Sequence, residues 1–572
     1  MAVALVRSVL FSLAWGSARG DSCVTISQVS YSCASTTCDG YLAHPPSCTS
    51  SSKCPAVMIL PDWTGLDAYE KERARMLADL GYVAFAADIY GRDTPQEDLS
   101  DWVRAALTHE GTSDLFMTKM NAALSQVRSQ EHVDTSKVAV LGYGSGGSGV
   151  VSLALLGKDV LGVVGYHSDI KPAERVSWDG RTNNATVMAK VLLHSGANDD
   201  DSTDVGVLEQ ELEAAGATYE IISYGSNVFS GFTDWSARSP GSNMYSPRAD
   251  YRSWESTKLF LQELFSGLPA AERGPENPML HTALQNYSCS TTTCQGYLAY
   301  NTSHCTDSSP CPAVVIIQDW TGMDEYEKER ARMLAELGYV AFAADIYGFG
   351  TPVENMADWG AAAGAHRGNP DLYMAKINAA LEQLENYDYV NSSQIAVVGY
   401  CFGGSGVVNM AILGFNVSGV VGYHSGIDPN SRVVRSSSSD LNVGAKVLLH
   451  SGVDDDAWTD VGLLMDEFEA ANAKYEIVRY GKDVFHSFTE WNANFPGQAI
   501  YDHRADYRSW ESTKLFLQEL FMDLPDAERG PALCPESTTV TTSTSEPEVE
   551  MNHAATAVCR TALFLLGTLV LF

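Results

Sequence analysis

The sequence predicts an α/β protein of two tandem domains, each a mostly parallel sheet flanked by helices. Three observations predict it. The chain repeats itself: residues 69–78 return at 326–335, and residues 248–265 return unchanged at 504–521. A repeat this long is a whole domain rather than a solenoid unit, whose period runs about 20–50 residues. Within each repeat, short apolar runs alternate with amphipathic stretches, the pattern of strands covered on both faces by helices. Finally, 45% hydrophobic and 19% charged residues leave ample apolar material for real cores in a chain of 572 residues.

The elements follow in order along the second repeat. Residues 313–317, Ala-Val-Val-Ile-Ile, read as a buried strand. Residues 325–337 carry the apolar spacing of an amphipathic helix, which Gly338 ends. A strand over 339–344 and a helix over 372–384 come next. Further strands are expected at 395–399, 417–423, 445–450 and 475–480, and residues 510–520 form the closing helix. In such a sheet, ligands bind at the carboxyl ends of the strands. The two domains are placed at 21–276 and 277–533, divided near Gly274 and Pro278, where Pro and polar residues break both helix and strand.

The ends of the chain read differently. Residues 1–20 set Arg7 before an apolar run and small residues, the layout of a secretory signal peptide. Residues 534–553 form a Ser/Thr-rich linker that cannot bury a core and reads as a stalk. The hydrophobic segment 554–572 ends in a 12-residue apolar tail, short of the roughly 20 residues that span a bilayer. Behind a polar spacer, it fits a GPI-attachment signal better than a tail anchor. Extracellular or cell-surface delivery through the secretory pathway is therefore expected. A net charge of −34 argues against nucleic acid and anionic membrane surfaces as partners, leaving the C-terminal anchor as the membrane contact. Asn184, Asn286, Asn301, Asn391 and Asn416 are acceptors for N-glycosylation.

Cysteine usage points the same way. Cys33, Cys38, Cys48 and Cys54 recur as Cys289, Cys294, Cys305 and Cys311. Four cysteines per repeat in a secreted chain imply two disulfides per domain, with three connectivities open. Zinc is the competing use, disfavoured by the Ser/Thr-rich loop expected there, so no metal or cofactor is expected. Cys23 and Cys534 flank the folded region and are candidates to pair. Cys401 has no repeated partner, as a reactive thiol should not.

Cys401 lies in Gly399-Tyr-Cys-Phe-Gly-Gly404, between a predicted strand and a small-residue helix start. This is the pattern of a nucleophile on a sharp strand-to-helix turn, where the helix dipole and backbone N–H groups favour thiolate. The first repeat carries Gly144 there. A nucleophile needs a base, and the base an orienting acid. His486 supplies the base, and its counterpart is Ser230. Loss of both partners in one copy, and retention of both in the other, lifts His486 above the ordinary prior for a structural histidine. Asp455 is the expected acid, matching Asp199, with Asp454 and Asp456 as neighbours. A turn-capping role is its bland alternative. His424 and His450 recur as His167 and His194, so they are assigned to packing.

With these residues in view, the second repeat resembles the dienelactone hydrolase family of the α/β-hydrolase superfamily across nearly its whole length. The first resembles it in fold, as a degenerate copy. The resemblance rests on the Cys401 turn, on His450-Ser-Gly-Val-Asp-Asp455, on His486-Ser-Phe488 and on Gln318-Asp-Trp-Thr-Gly322. It implies a Cys401–His486–Asp455 triad, with Asp319 tuning Cys401. It also implies an oxyanion hole from the backbone N–H groups of Trp320 and Phe402, where donors meet the charge that develops on the carbonyl oxygen. Family members specific for dienelactone hold the substrate carboxylate with two arginines. Here those positions read Phe349 and Glu490, so an anionic lactone is a poor fit. The expected activity is hydrolysis of small ester or lactone substrates by the second domain, the first being a pseudoenzyme. A non-catalytic surface binding protein is the alternative, and the same triad also suits acyl transfer or peptide cleavage.

Overall fold

The computed structural model describes residues 23–534, apart from Glu97, 110–113, 174, 176–186, 198, 200–201, 226 and 433–442. The expected leader, nearly all of the linker, the apolar tail and Asn184 lie outside these residues. Among the described residues, no helix is long and apolar enough to cross a membrane. The chain forms two compact units. Among the described residues, one contains 23–218, Phe229–Ser266 and 526–534; the other contains Tyr219–Val228 and Gly267–Pro525.

In the second unit the strand Cys311–Ile317 is central, parallel to Val340–Ala344 on one side and Val390–Tyr400 on the other. The parallel run continues through Gly419–Tyr423, Lys446–Gly452 and Tyr475–Tyr480. Tyr219–Tyr224 then pairs antiparallel with Tyr475–Tyr480. The inner strands are buried along nearly their whole length, as their uninterrupted Val/Ile/Ala runs require of strands covered on both faces. The first unit repeats this arrangement from Cys54–Leu60 outward, through Val83–Ala86, Val133–Tyr143, Gly162–Tyr166 and Lys190–Gly196. The α/β fold with a mostly parallel sheet, expected from the alternation of apolar runs, is the fold observed.

The helix Glu325–Glu336 begins with a capping box: Asp324 accepts from the Tyr326 N–H, while Glu327 reaches back to the Asp324 N–H. The helix at Pro370–Glu385 has proline in its first turn, where the missing N–H costs nothing.

One region departs from the sequence expectation. The Ser/Thr-rich segment at the start of each repeat is an antiparallel hairpin rather than a loop, Cys23–Cys33 with Thr36–His44 and Leu280–Cys289 with Thr292–Asn301. Its polar residues alternate with buried ones because only one face is covered. Disulfides join Cys33 to Cys38 and Cys289 to Cys294 across the hairpin ends, and Cys48 to Cys54 and Cys305 to Cys311 ahead of the central strands. Cys23 is bonded to Cys534 within the first unit. The free cysteine among the described residues is Cys401, and it is buried.

Candidate active site

Cys401 sits at the junction of the strand Val390–Tyr400 and the helix Phe402–Leu413. Its φ of 50° and ψ of −108° put a non-glycine residue in sparsely populated backbone space. Such strain costs about 1–3 kcal/mol and persists only where the surroundings over-determine it. They do so here. The Cys401 N–H donates to the Tyr423 carbonyl at 3.0 Å, and the Cys401 carbonyl accepts from the Ser405 N–H at 3.1 Å. Around the turn the helix lies directly against the sheet. A Cβ at Gly399 would stand 2.2 Å from the Gly403 carbonyl oxygen, and one at Gly403 would stand 2.2 Å from that of Ile317. Both glycines are there for close approach.

His486 lies in the loop after Tyr475–Tyr480, and its backbone bridges to Ala499. Asp455 lies in the turn after Lys446–Gly452, where its N–H donates to the Gly452 carbonyl at 3.1 Å. The Asp454 N–H donates to the Val484 carbonyl at 3.2 Å, tying the two loops together. The side chains meet: His486 Nδ1 is 2.7 Å from Asp455 Oδ1. With Nδ1 so engaged, Nε2 is the ring atom left for the Cys401 sulfur, with which His486 also interacts. Burial pulls the imidazole pKa down, but the Cys401 sulfur and the Asp455 carboxylate outweigh it and hold it well above the usual histidine range. His424 packs edge-on against His486, with ring centroids 5.1 Å apart. It is itself fully buried, with Nε2 2.9 Å from Thr489 Oγ1, and burial keeps its pKa well below the usual value.

Asp456, adjacent to Asp455, has a different job. It is buried, accepts from Ser451 Oγ at 2.7 Å and sits beside Arg479, which donates to its backbone carbonyl at 3.0 Å. Burial and the neighbouring Asp455 charge push its carboxyl up to about 7.

The loop after Cys311–Ile317 carries Asp319 and Trp320. Asp319 Oδ1 accepts from both the N–H (2.7 Å) and the hydroxyl (2.6 Å) of Thr321, a local turn. The Asp319 N–H donates to Glu327 Oε1 at 3.3 Å, so the capping glutamate also ties down this loop. Phe402 is the first residue of its helix, so its N–H has no intrahelical acceptor. Its ring is fully buried and stacked on Tyr373, with centroids 4.4 Å apart.

Two groups here were not anticipated as partners of Asp319. Glu327 was legible as the fourth residue of an Asp-x-x-Glu cap. Glu490 was noted only for standing where an arginine was expected. Burial raises the pKa values of both Glu490 and Asp319, and the Asp319 charge adds to the rise at Glu490. Phe349, the other position where an arginine was expected, is 63% exposed.

In the first unit, Gly144 occupies the turn at φ 51° and ψ −117°, and its N–H donates to the Tyr166 carbonyl at 3.0 Å. The backbone therefore keeps the shape of the Cys401 turn without the thiol. Ser145 replaces Phe402 and borders a small pocket whose walls include Tyr90, His109 and Phe116. The equivalents of these three residues, Tyr347, His366 and Tyr373, are the aromatic neighbours of Phe402.

Comparison with known proteins agrees with this architecture. The model of the dienelactone hydrolase family matches twice, over residues 38–265 and 295–521. A Bradyrhizobium sp protein named as a probable 2-oxo-3-(5-oxofuran-2-ylidene)propanoate lactonase is 25% identical over 237 residues, covering 39% of this chain and 88% of its own. An uncharacterised protein of Caenorhabditis elegans is 26% identical over 151 residues, 26% of this chain and 92% of its own. Among solved structures, a dienelactone hydrolase-like promiscuous phosphotriesterase from metagenomic libraries is 28% identical. It spans 42% of this chain and 99% of its own, with a TM-score of 0.39. The two family matches together take in most of the sequence, and the chain belongs to the dienelactone hydrolase family as a tandem α/β-hydrolase-fold protein.

Proposed function

We propose that the second domain hydrolyses carboxylic esters or lactones through Cys401, His486 and Asp455. The observation that carries the reading is the 2.7 Å contact of His486 Nδ1 with Asp455, on a ring that also interacts with the sulfur on the strained turn. A histidine oriented by a carboxylate beside a cysteine can take the thiol proton and leave the sulfur as the attacking thiolate. The thiolate adds to the substrate carbonyl, and the oxyanion is received by the N–H groups of Trp320 and Phe402. As the carbonyl re-forms, the carbon–oxygen bond to the alcohol breaks and His486 Nε2 passes its proton to the departing alkoxide. His486 then takes a proton from water, the hydroxide attacks the thioester, and the acid leaves as Cys401 recovers its thiolate. Asp455 holds the ring in the required tautomer throughout. Membership of a hydrolase family and likeness to a lactonase support this reaction class.

The first domain, 21–276, acts as a pseudoenzyme beside the catalytic domain, 277–533, since it lacks both nucleophile and base at Gly144 and Ser230. Five disulfides among the described residues support passage through an oxidising compartment. A cleaved leader, N-glycans and a C-terminal GPI anchor complete the reading of a protein at or outside the cell surface.

The deciding experiment is hydrolysis of a small chromogenic ester by the purified protein and by Cys401→Ala. Turnover in the first and none in the second is expected. Absence of turnover together with resistance of Cys401 to iodoacetamide at neutral pH would instead mark a non-catalytic binding protein.

A further inference from the structure

The turn that carries Asp455 is held from behind by one buried cation. Arg479 lies in the strand Tyr475–Tyr480 and is 1% exposed. Its Nη1 donates to Ser451 Oγ at 2.9 Å and to the Asp456 carbonyl at 3.0 Å, the two ends of that turn. Ser451 Oγ in turn donates to Asp456 Oδ2 at 2.7 Å, so the hydroxyl links the guanidinium to the acid beside Asp455. Asp455 itself depends on this frame. Its Oδ1 meets His486 Nδ1, while its Oδ2 is buried and accepts no hydrogen bond from any donor among the described residues. The direction of the carboxylate is therefore set by the backbone, where the N–H groups of Asp455 and Asp456 both donate to the Gly452 carbonyl, at 3.1 and 3.2 Å.

The first repeat supplies the comparison. Ser195, Gly196 and Asp199 match Ser451, Gly452 and Asp455, yet Ser223 stands at the position of Arg479 and Ser202 at that of Trp458. In the second repeat these two positions face each other, with the guanidinium carbon 5.7 Å from the centroid of the Trp458 ring. The strand Tyr219–Tyr224 forms with Ser223 in place, so the arginine is not a requirement of the strand. A guanidinium is costly to desolvate, which makes serine the cheaper occupant where nothing needs to be held. The Asp199 carboxylate lies against its own turn, accepting from the Gly196 N–H at 3.4 Å. Resting on the hydrolase reading, we infer that Arg479 is a positioning residue for Asp455. It clamps the 451–456 turn so that the carboxylate meets His486 Nδ1, and it acts on the rate through that acid without touching substrate. Misplacing a group of the triad by about 1 Å can cost roughly 10²-fold in rate.

The test is a double-mutant cycle in the full-length protein, read with a small chromogenic ester. Arg479→Met should lower kcat by roughly 10- to 100-fold and leave KM within about twofold. In the Asp455→Asn background the same change should cost less than about threefold, because the acid it positions is already gone. Parent-like kcat for Arg479→Met, or an equal fall in both backgrounds in protein that melts cooperatively, overturns the inference. If Arg479→Met does not melt cooperatively, Ser451→Ala takes its place in the cycle, since it removes only the hydroxyl between the guanidinium and Asp456. A several-fold fall confined to the Asp455 background is then expected, and no fall, or one that multiplies, overturns the inference. Should the parent turn over no ester, the hydrolase reading fails separately, and alkylation of Cys401 by iodoacetamide at pH 7 decides. Slower alkylation in Arg479→Met, with no further slowing in the Asp455→Asn background, upholds the clamp; equal rates, or slowing that multiplies in the double variant, overturn it.

Discussion

The turns at Cys401 and Gly144 share one backbone conformation and one hydrogen bond, yet they differ in what that conformation costs. At Gly144 the absence of a Cβ makes the positive φ nearly free. At Cys401 the same φ is paid in strain, and a thiol stands at the mouth of a helix in return. The first domain thus has the backbone of this turn without its thiol. The loss extends beyond the turn residue. Ser230 has no ring to lie against His167, which keeps the phenylalanine contact that its counterpart His424 also makes, and Ser145 borders a small pocket where Phe402 stands in the second domain. What both domains retain, the hairpin disulfides, the capping box and the buried histidine–threonine contacts, belongs to folding.

Changes at the triad should break this contrast most. Cys401→Ala is expected to lower kcat for ester hydrolysis by about 10⁴-fold or more, and His486→Ala comparably, whereas Gly144→Ala should leave kcat untouched. Asp455→Asn preserves the shape but favours the wrong imidazole tautomer, so a loss of roughly 10²–10⁴-fold in kcat is expected, with none for Asp199→Asn.

Stability measurements sharpen the same contrast at smaller scale. Gly144→Ala should cost its domain about 1–3 kcal/mol, read as a lower denaturation midpoint, because it imports the strain that Cys401 bears. Asp62, the equivalent of Asp319, is pushed up to about 7, chiefly by burial. A carboxyl whose folded pKa is raised stabilises the fold while protonated and loses that contribution as pH rises from about 4 to about 7. Asp62→Asn should therefore gain on the order of 1 kcal/mol at pH 8 relative to the parent, and nothing near pH 3. Ser145→Phe should overpack its site, because the pocket beside Ser145, about 10 Å³, has room for a water rather than a ring. It is expected to lower the melting temperature by a few degrees, about 1–3 kcal/mol, without creating activity.

Much of this was legible in the sequence because duplication supplied a comparison within one chain. Apolar β-branched runs such as Ala-Val-Val-Ile-Ile at 313–317 have little choice but a buried strand, and the glycines around Cys401 announce a close-packed turn. The first hairpin was misread as a loop because Ser and Thr serve turns and one-sided strands alike, and only the covered face separates the two. The helix Met356–Arg367 was missed because its alanines and glycines give it no amphipathic stripe. The influence of Asp319 on Glu490 was beyond reach for a different reason. Residues 171 positions apart carry no mark in sequence that their loops converge, and paired carboxyls look like solvated charges until burial is known.

The bond between Cys23 and Cys534 turns the described chain into a covalent ring, with 511 residues separating the joined positions. If tension arrives from the segments that enter and leave this ring, it passes from one sulfur to the other and leaves both hydrolase folds unloaded. A protease that nicks a loop inside the ring likewise liberates nothing until the disulfide is reduced. That single crosslink is at once a mechanical bypass and a retaining clasp.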